Sequence, residues 1–188
     1  MLAGVSIGFR AIQFIFSVVV LGLAVTLIKA QVYDSAPVTT KYSSFTGGFG
    51  ILVAAIGVAG LFFDAIPDIV NLALDALAGL LFAAGGIAWA IGIKGISCTS
   101  EYDADKMLGN GLLNLGTVSA GGQTGYGVGA ISDTAEEVFG HLKSNCQKGF
   151  ADEIISFLSF GVAAGLVGLG YVRMRKGGGS SGAGRYVA

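Results

Sequence analysis

Long apolar stretches alternate with shorter polar segments along this chain. Crossing the roughly 30 Å hydrocarbon core of a bilayer takes about 20 apolar residues in a helix. Three of the four apolar stretches carry no charged residue, and the remaining one carries only Asp75. They cover residues 11–28, 45–63, 69–93 and 154–172. Because a chain in lipid must satisfy its own backbone hydrogen bonds, we predict an all-α integral membrane protein built as a four-helix bundle.

The composition supports a single membrane domain. Of 188 residues, 53% are hydrophobic and 12% are charged, whereas soluble domains carry about 25% charged residues. We expect the four-helix domain to span residues 1–176 and a flexible Gly/Ser-rich tail to cover residues 177–188. The first apolar stretch resembles a signal peptide, but Ile28 stands where a cleavage site needs a small residue, so we interpret it as a retained helix. The net charge of −1 argues against nucleic-acid binding.

The polar segment between the third and fourth stretches, residues 94–153, contains eight acidic residues and four lysines. Its middle is rich in glycine, whereas its end has a helical pattern. Asp133 to Glu136 reads as a capping box, which marks the start of a helix. We therefore predict an extra amphipathic helix in this loop, lying on the bundle or on the membrane surface. The residues that share its apolar face are Ala135, Val138, Phe139, Leu142 and Cys146.

Several local motifs together resemble a known family. Leu74-Asp75-Ala76-Leu77 lies early in the third stretch, Gly92-Ile-Lys-Gly-Ile-Ser-Cys98 ends it, and Cys146 precedes the fourth. These features and the basic tail resemble the MARVEL domain, a four-helix membrane module with a disulfide in its second outer loop. More narrowly, they are similar to the fungal non-classical export protein family, whose members organise plasma-membrane compartments associated with eisosomes. The segment between the cysteines is longer here than in that family.

The two cysteines and the basic residues bear on orientation. Cys98 and Cys146 are a candidate disulfide, with unpaired structural thiols as the alternative. Two thiols in one polar loop can pair only on the oxidising side of a membrane. We therefore expect the loop outside the cell and both termini in the cytoplasm, in the plasma membrane as the resemblance implies. There Arg173, Arg175 and Lys176 would contact lipid headgroups, or serve only as a stop-transfer flank.

Asp75 is the sharpest single feature of the spans. It lies about 9 Å inside the start of the third apolar stretch. A charge at the bilayer centre costs about 2.5–3.5 kcal/mol, and less at this depth, so Asp75 should face the bundle and find a partner. The candidates are Asn71 on its own helix and Gln13 or Arg10 on the first helix. Two interpretations are open: a polar clamp between helices, or a site of protonation or lipid-headgroup contact.

Small residues recur four positions apart in three of the predicted helices. Such spacing lets helix backbones approach closely, either within one bundle or between copies. We expect some of these positions to serve a homo-oligomer or a larger assembly. The pairs are Gly50 with Ala54, Gly79 with Ala83, and Gly161 with Gly165.

These observations favour a non-enzymatic membrane organiser that associates laterally and shapes or sorts a lipid domain, with sphingolipid or sterol as the lipid implied by the resemblance. We expect no catalytic residue, metal site or cofactor, since His141 is the only histidine and no nucleophile pattern accompanies it. The alternative is a small oligomeric transporter or channel that uses Asp75. Helices two and four offer almost nothing polar at mid-depth, so we expect no continuous hydrophilic path through a monomer. The polar candidates are Asp75, Asn71, Gln13, Ser17 and Thr26.

Overall fold

The computed structural model describes residues 2–62 and 67–177, in which six helices and one β-hairpin follow one another. The predicted tail from residue 178 onward lies outside the described residues. The helices are α1 (Leu2–Ala30), α2 (Val38–Phe62), α3 (Asp68–Gly92), α4 (Ala104–Leu108), α5 (Gly127–Ala130) and α6 (Ala135–Gly177). The hairpin comprises β1 (Thr117–Ala120) and β2 (Gln123–Tyr126), and a 3₁₀ turn (Glu101–Asp103) precedes α4.

Four of these helices, α1, α2, α3 and α6, are long and apolar enough to cross a membrane. They form an antiparallel ring in which α1 packs on α2, α2 on α3, α3 on α6 and α6 on α1. We call the end that carries residues 93–134 the loop end, and the end at which α1 begins and α6 ends the termini end. The predicted fold class, an all-α four-helix membrane bundle with a further helix in its long loop, is confirmed.

Three of the four spanning helices extend beyond the predicted apolar stretches, whereas α3 matches its stretch to within one residue. The second begins at Val38 rather than at residue 45, because the polar residues before Phe45 are helical and bonded within the bundle. Tyr42 donates a hydrogen bond to the Leu81 carbonyl at 3.1 Å, and Thr46 donates one to the Tyr42 carbonyl at 2.9 Å. Hydropathy therefore located all four spans but missed polar ends of α1, α2 and α6.

Each long helix buries one face whose residues recur at alternating spacings of three and four. This average period of 3.5 suits nearly parallel or antiparallel packing of long helices. On α1 the face is polar toward the termini end and apolar toward the loop end. Its members are Ser6, Arg10, Gln13, Ser17, Val20, Ala24 and Leu27.

The predicted amphipathic segment is helical, but it is the beginning of α6 and runs without a break into the fourth span. At 43 residues, α6 is about 64 Å long, roughly twice the thickness of the hydrocarbon core. Its capping box lies one residue later than predicted: the Thr134 hydroxyl accepts from the Glu137 amide at 3.2 Å, and the Glu137 carboxylate accepts from the Thr134 amide at 3.3 Å. Both pairs are three residues apart, but a capping box begins with Ser or Thr, so Thr134 and Glu137 form it rather than Asp133 and Glu136.

The loop end carries a folded cap, which we define as residues 93–134 together with the first turns of α6. Its apolar core is continuous with the ends of α1 and α3. A disulfide between Cys98 and Cys146, with a Cα–Cα distance of 5.5 Å, joins the segment after α3 to α6. The core residues are Leu27, Trp89, Ile93, Met107, Leu113, Leu115, Val128, Leu142 and Cys146.

Backbone hydrogen bonds also fasten the α1–α2 connection to this cap. The amides of Val32 and Tyr33 both donate to the Leu115 carbonyl, at 3.0 and 3.2 Å. Gly116 has a φ of 97°, and a side chain there would overlap the Tyr33 carbonyl. The close approach of these two segments therefore requires glycine at position 116.

Candidate functional site

A buried ion pair joins α1 to α3 near the termini end. Arg10 Nη1 and Nη2 donate to the two carboxylate oxygens of Asp75 at 2.5 and 2.7 Å. The exposed fractions of these side chains are only 7% and 3%. Gln13 completes the group, because its Oε1 accepts from Arg10 Nη1 at 2.9 Å. We call these three residues the Arg10–Asp75 cluster.

The sequence positions this cluster through the spacing on α1 and through a glycine on α2. Arg10 and Gln13 lie three residues apart and share the face that meets α3. Gly57 on α2 lies opposite the guanidinium, and a methyl group at that position would overlap it. The absence of a side chain at Gly57 therefore gives Arg10 the room to reach Asp75. Of the predicted partners of Asp75, Arg10 makes the ion pair and Gln13 supports it.

Asn71, the third predicted partner, makes no hydrogen bond to Asp75 in the described structure. Its side chain packs against Gly60, and its Oδ1 is buried without a hydrogen-bond partner among the described residues. Asn71 instead lines a polar cavity of about 40 Å³ together with Arg10, Asp75 and Arg173. A cavity of this size has room for water molecules and not for a larger solute.

A second polar cluster lies near the loop end and was not predicted. Trp89 Nε1 donates to Ser43 Oγ at 2.8 Å, and Ser156 Oγ donates to Asp152 Oδ1 at 3.3 Å. Asp152 is completely buried, and its Oδ2 has no hydrogen-bond partner among the described residues. Ser43 also lies beside the Asp152 carboxylate and so joins the two pairs. We call Ser43, Trp89, Asp152 and Ser156 the Asp152 cluster. Asp75 and Trp89 are 14 positions apart on α3, so the two clusters lie about 21 Å apart along the axis of this helix.

The second and fourth spanning helices do carry buried polar residues, but these lie toward the loop end, so the expectation that the two helices offer almost nothing polar at mid-depth is consistent with the structure. All of these residues except Asp152 carry hydroxyl groups, which hydropathy counts as nearly neutral. Thr26, a predicted interior residue, is exposed on α1, and its hydroxyl donates to the Leu23 carbonyl. The buried polar residues of the second and fourth spans are Thr40, Ser43, Thr46, Asp152, Ser156 and Ser159.

Apolar side chains fill the bundle between the two polar clusters. Val20 of α1, Val53 of α2 and Phe82 of α3 are at most 2% exposed. Phe82 and Ser17 both meet the position where a side chain on Gly50 would stand, which places them at one level of the bundle. The two clusters are therefore separated by a packed apolar layer.

Most of the small residues predicted for close helix contact face the inside of the bundle. Gly50 lies against Ser17 and Phe82, Gly79 against Ala163, and Gly165 against the ring of Phe9. Ala54 is 1% exposed, and Ala83 is half-buried. Gly161 differs, because it is exposed and a methyl group there would meet nothing within 4 Å.

The predicted basic residues lie on the last turns of α6. Arg173 and Arg175 are exposed at the termini end. The Arg175 guanidinium stacks 5.0 Å from the centre of the Tyr171 ring, and Arg173 borders the cavity described above. Lys176 belongs to the same helix. Within the described residues, no group of three or more His, Cys, Asp or Glu side chains is placed to hold a metal ion.

The family model of the membrane-associating domain named MARVEL matches residues 2–169 of this chain. This chain belongs to the MARVEL family. No curated protein and no solved structure matches it. Membership confirms the wider of the two resemblances and identifies the protein as an integral membrane protein of a membrane-associating family. The narrower resemblance, to the fungal export proteins, stays a prediction.

Proposed function

We propose that this MARVEL protein is a non-enzymatic organiser of a membrane domain, which it shapes or sorts by associating laterally with further copies of itself. The observation that carries this proposal is the contrast between the inside and the outside of the bundle. Inside, the polar groups of α1 and α3 bond to one another and apolar side chains fill the level between the clusters. Outside, large apolar side chains are exposed over the spans, so the molecule's main interactions are with lipid and with other membrane helices.

The location belongs to the proposal as well. The disulfide favours a loop end outside the cell and termini in the cytoplasm, since disulfides persist on the oxidising side of a membrane. The resemblance to the fungal export proteins favours the plasma membrane and a sphingolipid- or sterol-rich domain of the eisosome type. In that orientation Arg173 and Arg175 face the inner leaflet, where each basic residue contributes about 1 kcal/mol toward anionic lipid.

The shape of the molecule supplies a mechanism for sorting lipid. The folded cap adds bulk beyond the membrane at the loop end, and α6 extends into it without a break. A rigid bundle that is wider on one side of the bilayer fits a curved membrane better than a flat one. When several copies associate laterally, their preferences for curved membrane add together.

Among the residues predicted for close helix contact, Gly161 is the one best placed for contact between copies. It is exposed on α6, and no side chain of its own chain covers it. A second helix can approach the backbone at such a position, and close packing drives helix association in lipid. Replacing Gly161 with leucine fills that space without disturbing the interior of the bundle.

The test is the oligomeric state of the reconstituted protein. Labelled protein is placed in vesicles that contain anionic lipid and sterol, and copies per assembly are counted by stepwise photobleaching over a range of protein densities. Wild type should assemble, and Gly161→Leu should assemble less. Gly22→Leu on α1 is the matched control, because Gly22 is also exposed but belongs to none of the predicted close-contact pairs, and it should behave as wild type. Wild type that stays monomeric at high density would refute the proposal.

The alternative function, an oligomeric transporter or channel, is favoured by one specific observation. Buried polar side chains occur on all four spanning helices, and Asp152 has an unpartnered carboxylate oxygen among the described residues. Vesicles loaded with a pH- or ion-sensitive dye would report flux by the protein. Flux that Asp75→Asn or Asp152→Asn abolishes, while assembly persists, would favour this alternative over the organiser.

A further inference from the structure

The β-hairpin of the cap has two open edges. Its register pairs Thr117 with Tyr126 and Ala120 with Gln123. Gly121 and Gly122 form the two-residue turn, with φ values of 60° and 81° that suit a type I′ turn. These two strands make a complete sheet in the described part of the chain, and β1 and nearly all of β2 are exposed. Two-stranded sheets are only marginally stable alone, so the open edges are sites where a further strand would stabilise the hairpin.

The register shows which backbone groups face outward. In a hairpin with a two-residue turn, the pair next to the turn exchanges hydrogen bonds, and the next pair directs its amide and carbonyl groups away from the partner strand. Here that next pair is Ser119 and Thr124. The backbone of Ser119 therefore presents the β1 edge, and that of Thr124 presents the β2 edge.

Two usual protections of open edges, charged residues and proline, are missing here. Edge strands in natural proteins commonly carry lysine or proline, which prevents pairing with another chain. Residues 107–132, which contain the whole hairpin, include no charged residue and no proline. Both edges are therefore chemically competent to pair.

The charge distribution of the cap indicates what pairs with them. All eight acidic residues and all four lysines of residues 94–153 lie outside the uncharged segment 107–132. Two copies of one chain carry the same excess of acidic groups, so their caps repel one another except where this segment meets. Spanning helices also hold neighbouring copies in one membrane at the same height and in the same orientation. The backbone amides and carbonyls of one edge can pair with those of the same edge in a second copy. An uncharged edge of this kind therefore suits a second copy better than a charged partner.

We propose that one edge of the hairpin pairs with the hairpin of a second copy of this chain, which joins two caps through a shared four-stranded sheet. This inference rests on the proposed lateral association and assigns it a contact outside the membrane. The contact is backbone pairing, which is consistent with the small and uncharged side chains of the hairpin.

Lysine at an edge position tests the pairing. Ser119→Lys and Thr124→Lys each place a charge at one edge, where it would face the same charge of the second copy. At least one of them should raise the protein density needed for half-assembly in vesicles about tenfold, equivalent to about 1.4 kcal/mol. Tyr102→Lys is the matched control, because Tyr102 is 97% exposed on the same cap and away from the hairpin. It should assemble at the wild-type density.

Cysteine cross-linking provides a second measurement. The native cysteines are bonded to each other, so a single introduced cysteine is a clean reporter. Ser119→Cys or Thr124→Cys should form a covalent dimer under mild oxidation in vesicles, and Tyr102→Cys should not. Retention of the native disulfide in every variant, measured by thiol labelling, shows that the cap is folded.

The outcomes separate the inference from the proposed function. Wild type that assembles while both lysine variants assemble equally well, with no cross-link at either edge, overturns the hairpin contact and leaves the organiser in place. Wild type that remains monomeric overturns both. A loss of assembly at one edge, with cross-linking at that same edge, supports the inference.

Discussion

Breaking the buried ion pair by Asp75→Asn should destabilise the bundle more than any other single change in its polar interior. The substitution keeps the size of the side chain and removes its charge, which leaves the Arg10 guanidinium buried without a counter-ion. Arg10 cannot escape by losing its proton, because a guanidinium stays charged in proteins. Gln13 offers it a single neutral acceptor.

The magnitude follows from burial and from the number of bonds. The side chains of Arg10 and Asp75 are 7% and 3% exposed and share two charge-assisted hydrogen bonds. Removing one partner of such a pair costs about 3–5 kcal/mol, because an uncompensated buried charge remains. The hydrogen bond from Arg10 to Gln13 is charge-assisted, and such a bond contributes about 1.5–3 kcal/mol, so Gln13→Leu should cost less than Asp75→Asn. The predicted order of stability is therefore wild type, then Gln13→Leu, then Asp75→Asn.

The assay is reversible unfolding in mixed micelles with increasing denaturing detergent, followed by helical circular dichroism. Asp68→Asn is the matched control, since Asp68 is exposed at the start of the same helix, and it should change the free energy of unfolding by less than about 1 kcal/mol. The double variant Arg10→Met/Asp75→Leu should recover most of the stability, because the buried charges are then removed together. Asp75→Asn with wild-type stability, or a double variant no better than the single, would refute the assignment of Asp75 as a structural clamp.

Two further predictions concern the cap. Gly149→Val should destabilise it by about 1–3 kcal/mol, because a side chain at Gly149 would press on the Trp89 ring. Gly140→Ala, on the same helix with open space around it, should instead stabilise the protein by about 0.5–1 kcal/mol. Thermal melts of both variants measure the difference. Replacing Cys98 and Cys146 with serine opens a loop of 48 residues and should cost about 4 kcal/mol in the chain-entropy model. Hydrogen exchange should then show faster opening of the cap than of the spans, and unchanged exchange in the cap would contradict this.

The sequence was sufficient for the spans and for one site. Apolar length determines how many helices cross a membrane, because each helix must satisfy its own backbone in lipid, and this rule predicted four helices. The same reasoning required a partner for Asp75, and the structure shows that Arg10, one of the predicted candidates, makes the ion pair. A single charge inside an apolar stretch leaves few places for its partner, so such a site is visible in sequence.

The Asp152 cluster was not predicted, because its acidic residue lies outside the apolar stretches, whereas Asp75 lies inside one. Asp152 lies two residues before the fourth apolar stretch, beside Glu153, and so reads as part of a polar loop. Hydropathy cannot show that a helix continues through such residues, nor that one of two adjacent acids faces the bundle. The available signal was the spacing of Asp152, Ser156 and Ser159, which places all three on one helical face.

A bundle that acts only through its shape still has a physical reason to contain buried polar groups. Lipid tails are as apolar as leucine, so apolar contact alone gives helices in a membrane little preference for one partner or register. Hydrogen bonds and ion pairs do give such a preference, because a mispaired polar group would be left unsatisfied in lipid. The Arg10–Asp75 cluster fixes α1 against α3 toward the termini end, and Trp89 with Ser43 fixes α3 against α2 toward the loop end. These two contacts, about 21 Å apart along α3, set the register of α1 and of α2 against this helix, and a bundle fixed in this way can impose its own shape on the surrounding lipid.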